Sequence, residues 1–97
     1  MNDKMSHSIS GKATAYCLTG KTSTGSKPGP GTIAVDPKVI PYKKNLHVTW
    51  NGGSYDGVSL DTGGACRQGK IVCDLWFSTK KECDDFGRRD VTVTWND

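Results

Sequence analysis

Apolar and polar positions alternate with period two along much of this chain. Six runs read as strands, at residues 10–17, 32–36, 45–50, 57–61, 70–77 and 90–95. In the fifth run Ile71, Cys73, Leu75 and Phe77 share one face, while Val72, Asp74 and Trp76 share the other. In the second, Ile33 and Val35 oppose Ala34 and Asp36; in the fourth, Val58 and Leu60 oppose Ser59 and Asp61. Each of these three aspartates therefore falls out of phase with the aliphatic row of its own run. The segment 18–31, LTGKTSTGSKPGPG, has the Gly, Ser, Thr and Pro content of a surface loop. One short helix fits residues 79–86, with Ser78 or Thr79 as its cap, Glu82 completing a capping box, Gly87 as its stop, and Cys83 and Phe86 facing inward. Ile33-Ala34-Val35-Asp36 and Val58-Ser59-Leu60-Asp61 form a faint repeat. Two similar halves suggest a pseudo-two-fold barrel, whose closure would remove the exposed edges of short strands.

Composition agrees with an all-β chain. Its 97 residues make one domain, expected over 9–97 with a disordered lead at 1–8, and twelve glycines serve tight turns. A chain this short buries a modest core, so a large cofactor cavity is not expected, and no cofactor is assigned. No run reaches the roughly 18 apolar residues of a membrane span. The first ten residues, MNDKMSHSIS, lack the apolar run of a secretory signal, so the chain is expected to be made without one or to begin after it. The formal charge of +3 suits solubility or mild attraction to an anionic polymer such as cell wall. Lys and Arg are scattered among acids, with Arg88-Arg89 as a short cluster, which disfavours nucleic acid as a partner. The four cysteines contain no C-x-x-C pair, which argues against structural zinc, and they permit three full disulfide connectivities. Cys66 and Cys73 flank the turn Arg67-Gln68-Gly69-Lys70 and are the first choice should a disulfide form.

The candidate chemistry lies with Asp36, Asp61 and Asp74. Carboxylates held close together repel one another, and partial burial raises the proton affinity of at least one. Such an acid can protonate a glycosidic oxygen. Asp74 is the best candidate for that acid, because Val72 and Trp76 flank it on its own face, with Asp36 and Asp61 as supports. Gly63-Gly64, directly after Asp61-Thr62, is expected to allow positive φ and close backbone approach to a ligand. Thr62 could hydrogen-bond a carboxylate. Tyr16 and Trp76 are the aromatic platforms for a sugar ring, whereas Trp50 and Trp95 end strands in the apolar phase. His47 has no spaced partner and reads as a structural residue on the outer face. Arg88 and Arg89 are placed to neutralise the helix C-terminus.

The segments GTIAVDPKVIPY (31–42), SLDTGGA (59–65) and KIVCDLWFSTKKECDDFGRRDVTVTW (70–95) resemble the 3D domain, named for its three aspartates. The lead-in ATAYC (13–17) and the Gly25–Gly31 pattern also fit, so the resemblance covers residues 12–95. That domain occurs in bacterial cell-wall proteins similar to stationary-phase survival and resuscitation-promoting factors, and in membrane-bound lytic murein transglycosylase A. The resemblance implies a six-stranded double-psi β-barrel with the three aspartates in its groove, and peptidoglycan glycan strands as partner. It implies a lytic transglycosylase in which the aspartate matching Asp74 is the single acid/base at the bond between N-acetylmuramic acid and N-acetylglucosamine. The alternative is a non-catalytic glycan-binding or wall-loosening module, because related barrels bind polysaccharide without cutting it. The implied place of action is the cell wall or the extracellular space; the chain is expected to be a monomer, and as a stand-alone domain to be phage-encoded, exported by an unusual route, or trimmed. The sequence departs from the family where Cys66 and Cys73 replace aliphatic residues and where Lys43-Lys44 replaces the usual glycine after the Pro41-Tyr42 turn.

Overall fold

A computed structural model describes residues 6–97. The strands are β1 (His7–Tyr16), β2 (Thr32–Val35), β3 (Asn45–Trp50), β4 (Gly53–Thr62), β5 (Cys73–Trp76) and β6 (Arg89–Trp95). They close a barrel in the order β1-β5-β2-β4-β3-β6. Two helices lie between strands, α1 (Gly64–Arg67) before β5 and α2 (Lys80–Phe86) before β6. The barrel is mixed: β1 with β5 and β2 with β4 run parallel, and every other neighbouring pair is antiparallel. β1 starts at His7, where it pairs with Trp95, so residues 7 and 8 of the expected lead are strand and residues 1–5 lie outside the described residues.

The pairing pattern itself is two-fold. Exchanging β1, β2, β3 with β4, β5, β6 leaves the set of pairings unchanged: the parallel β1–β5 pair maps onto β4–β2, the antiparallel β3–β4 pair onto β6–β1, and β2–β5 and β3–β6 each onto themselves. Matched strands also have matched lengths, ten residues each for β1 and β4 and four each for β2 and β5. This is the double-psi barrel. The faint repeat in the sequence had matched β2 with β4, and that pairing of the halves is corrected here. Those two strands are parallel neighbours, related to β5 and β1 rather than to each other.

Alternation holds where one strand face meets the interior. Ile71, Cys73 and Leu75 are buried and Val72, Asp74 and Trp76 are half-exposed, as the phase of the fifth run requires. Ile33, Val35, Leu46, Val48, Leu75, Val91 and Val93 fill the barrel, each such side chain contributing about 1.5–3 kcal/mol by leaving water. β2 is buried on both faces, because α1 packs over the second one and the Cys66 thiol reaches the Ala34 carbonyl. In β4 the expected phase fails. The register of β2 with β4 jumps from Ile33↔Ser59 to Ala34↔Asp61, bulging Leu60 out of the ladder. Ser59 is the fully buried residue there, its hydroxyl donating to the Pro41 carbonyl at 2.6 Å and accepting from Lys44 N–H at 3.0 Å. Val58 and Leu60 are only half-buried.

β4 begins four residues before the sequence pattern suggests, because Asn51 and Gly52 (φ 106°) make a tight hairpin turn that pairs Trp50 with Gly53. The α2 cap is as read from the sequence: the Thr79 hydroxyl accepts from Glu82 N–H and donates to the Glu82 carboxylate, and Gly87 ends the helix at φ 64°. Arg89 donates to the Phe86 and Asp85 carbonyls at the helix end, while Arg88 reaches the Lys70 carbonyl instead. His47 meets Asp56 across the β3–β4 pair on the outer face. Lys43 holds φ 64°, so the turn after Pro41-Tyr42 carries a left-handed residue despite its side chain.

Candidate functional site

Four adjacent strands place four residues in one row. Thr14 on β1 is the register partner of Asp74 on β5, Asp74 of Ala34 on β2, and Ala34 of Asp61 on β4. The two carboxylates are thus separated by one small residue, with backbones about 10 Å apart at two strand spacings. Tyr16, two residues beyond Thr14 on the same face, carries its hydroxyl to the Asp61 carboxylate at 3.2 Å. This strand row brings Asp74, Asp61 and Tyr16 together, two of the three aspartates expected to share one site.

Asp74 is half-buried and accepts one side-chain hydrogen bond, from the Thr14 hydroxyl at 3.0 Å. Burial raises its pKa to about 6 from 3.8; the Thr14 bond holds it down in part, and repulsion from Asp61 adds to the rise. Tyr16 is pushed upward as well, first by burial and then by the Asp61 charge, so its hydroxyl stays a neutral donor.

Asp61 has a different environment. Oδ1 accepts from Ser23 N–H, the Ser23 hydroxyl and Thr62 N–H, each at 2.9 Å, and Oδ2 accepts from Tyr16. Ser23 belongs to the 18–31 loop, which is strapped along the groove. Its Thr24 amide and hydroxyl both reach the Leu60 carbonyl, and its Leu18 carbonyl accepts the Trp76 indole N–H at 2.9 Å. The far end of the strap is held where Gly31, at φ 88°, sends its carbonyl to Val58 N–H and its N–H to the Tyr55 hydroxyl. A Cβ on Gly57 would stand 2.2 Å from the Gly31 carbonyl oxygen, so only glycine admits this approach.

Asp36 stands apart from this pair. Its side chain accepts from Lys38 N–H at 3.0 Å and its carbonyl from Val39 and Ile40, so it organises the turn after β2. Asp61, not Asp36, is the neighbouring carboxylate that adds to the proton affinity of Asp74. Thr62 meets the Asp61 carboxylate through its amide, while its hydroxyl accepts from Arg67. The expectation of positive φ at Gly63-Gly64 is corrected. Gly63 is extended (φ −138°) and Gly64 opens α1, because the Gly-Ala-Cys-Arg segment winds into one helical turn. The disulfide option is corrected too: Cys17, Cys66, Cys73 and Cys83 are all free thiols. Burial pushes the thiols of Cys66 and Cys73 up to about 12. Among the described residues no group of three or more His, Cys, Asp or Glu is arranged to hold a metal ion.

Sequence reasoning missed Thr14 and Ser23. For Thr14 a signal existed, since it shares the strand face of Tyr16, but its partner lies 60 residues away and only the parallel β1–β5 register joins them. Nothing local marks Ser23 among the hydroxyl residues of its loop.

A closed six-stranded double-psi barrel with two carboxylates in one row of its strands places the chain among small β-barrel domains. The sequence profile of the 3D domain matches residues 31–95, and the chain belongs to the 3D domain family. It is 37% identical over 101 aligned positions to the SPbeta prophage-derived uncharacterized protein YorM of Bacillus subtilis (strain 168), covering 93% of this chain and 42% of that protein. It is 33% identical to the cell wall-binding protein YocH, over 95% of this chain and 33% of the relative. It is 35% identical to the putative cell wall shaping protein YabE, over 82% of this chain and 20% of the relative; both relatives are from the same organism. The chain therefore spans less than half the length of each of these relatives. Among solved structures, the Streptomyces papain inhibitor (SPI) superposes with a TM-score of 0.71 at 17% identity, covering 96% of this chain and 97% of that one, which shows a shared fold.

Proposed function

We propose that this domain acts at the bacterial cell wall and cleaves peptidoglycan glycan strands as a lytic transglycosylase, with Asp74 as its single acid/base. The observation that carries the reading is the raised proton affinity of Asp74 in one strand row with the Asp61 carboxylate, which four protein donors hold in place. A carboxyl with pKa about 6 holds a proton under mildly acidic conditions and can still release it. Asp74 would give that proton to the oxygen linking N-acetylmuramic acid to N-acetylglucosamine. The resulting carboxylate would then take the proton of the muramic C6 hydroxyl as that oxygen attacks C1, closing a 1,6-anhydro ring. One carboxyl serves both steps, so no carboxylate nucleophile is needed, unlike the paired hydrolases. Thr14 aims Asp74, Asp61 adds repulsion that keeps the proton on it, and the indole and phenol faces of Trp76 and Tyr16 flank the sugar path. Gly63, Gly64 and Thr62 shape the wall of the groove beside Asp61, and Asp36 supports it through the turn after β2. The printed names of two relatives, cell wall-binding and cell wall shaping, support the place of action.

A second reading is favoured by the strap. Ser23 and Leu18 occupy polar atoms of Asp61 and Trp76 that a sugar would otherwise use, which suits a module that binds wall glycan at a partly covered groove without cutting it. Digestion of purified peptidoglycan with mass-spectrometric analysis separates the two. Anhydro-muropeptides that vanish with Asp74→Asn support cleavage. Retention on insoluble wall without released fragments supports binding, and failure of both removes the wall reading.

A further inference from the structure

The four cysteines divide into two pairs with different surroundings. Cys66 and Cys73 are buried, on α1 and β5, with thiols that burial keeps protonated and therefore poor nucleophiles. Cys17 and Cys83 are half-exposed. Cys17 directly follows β1, whose last carbonyl, that of Tyr16, accepts from Phe77 N–H at 2.9 Å. Cys83 lies on α2, which packs against β1, and its sulfur also meets the Phe77 backbone. Phe77 thus ties the end of β1 to α2, and the two thiols lie within interaction range of each other, with the Lys80 ammonium in electrostatic reach of both.

We propose that Cys17 and Cys83 are the oxidisable pair of this protein, closing a disulfide that pins the root of the 18–31 strap to α2 while Cys66 and Cys73 stay reduced. The oxidant is a small-molecule disulfide such as oxidised glutathione. One thiol, as thiolate, attacks a sulfur of that disulfide; the S–S bond breaks, a mixed disulfide forms, and one small thiolate leaves. The second thiol of the pair, deprotonated in turn, attacks the protein sulfur of the mixed disulfide and expels the other small thiolate. Two electrons pass from the pair to the oxidant, and the two thiol protons end on the released small thiols. Burial raises the Cys83 thiol, so the exchange calls for mildly alkaline pH. The bond closes a loop of more than sixty residues, so its effect on the unfolded chain is large. It also fixes the residue next to Leu18, whose carbonyl holds the Trp76 indole, so oxidation state and strap position are coupled. None of this depends on whether the groove cuts glycan.

The test exposes the folded chain to millimolar oxidised glutathione at mildly alkaline pH, alkylates the remaining thiols, and maps tryptic peptides by mass spectrometry. The expected product joins peptide 13–21 to peptide 82–88, leaves Cys66 and Cys73 alkylated after unfolding, and raises the thermal midpoint by roughly 10 °C. Cys83→Ser and Cys17→Ser each abolish both the cross-link and the thermal shift. A Cys66–Cys73 cross-link, or four alkylated cysteines after the same exposure, overturns the proposal.

Discussion

Asp74 and Asp61 lie in one row, two strands apart, and the barrel equips them in opposite ways. Asp61 receives four donors, two of them from Ser23 in the strap, one from its own neighbour Thr62 and one from Tyr16. Asp74 receives one side-chain donor, from Thr14, in a drier setting. The difference follows from topology. Asp61 ends the long β4 at a bulge where loop and helix backbones converge, whereas Asp74 lies inside the short β5 with its amide and carbonyl committed to the ladder. Two identical side chains are thereby given different surroundings: one is fixed by four donors, the other is raised in proton affinity by burial.

The largest expected break in this comparison is Asp74→Asn. It should lower glycan cleavage by about 10²- to 10⁴-fold, as loss of an acid/base does. The same variant should be more stable than the parent near neutral pH by roughly 1–2 kcal/mol, after discounting for partial exposure. The sign follows from the raised pKa: the contribution of Asp74 is fully present below about pH 4 and is lost as pH rises through about 6, so the advantage of Asn should vanish in acid. Denaturant melts at pH 4 and pH 7 check both halves.

Gly57→Ala strikes the other side of the comparison, because its Cβ would collide with the Gly31 backbone that ends the strap. A loss of about 3 kcal/mol is expected, with faster hydrogen exchange at Ser23 and Thr24 but not at Ala15 or Leu75. Tyr16→Phe removes one of the four donors to Asp61 and should cost about 1 kcal/mol, since three donors remain. Thr14→Val is the finest probe. Without its hydroxyl the hold on the charged form is lost, and the midpoint of Asp74, with the alkaline limb of activity, should move upward by about half a pH unit.

Much of this was legible in the chain. The period of 70–77 placed Asp74 off the core face, and Thr79, Glu82 and Gly87 marked α2 with its cap and stop. The barrel and its two-fold character were also readable, although the repeat pointed at the wrong strands. Four alternating residues look alike in any short strand, and only pairing distinguishes relatives from neighbours. The bulge at Leu60 was invisible because it arises from the register between β2 and β4, not from either segment alone. One turn of helix at Gly64–Arg67 is too short to carry a period, so Gly63-Gly64 read as a left-handed turn. Thr14 and Ser23 escaped notice for a related reason: their roles come from partners 60 and 38 residues distant.

The division of roles between the two carboxylates can be measured directly by carbon-13 NMR titration of the Asp74 side-chain carboxyl in the folded domain. The structure predicts a midpoint near 6, moving upward in Thr14→Val. A midpoint at the ordinary aspartate value of 3.8 would contradict the assignment of Asp74 as the carboxyl that keeps its proton.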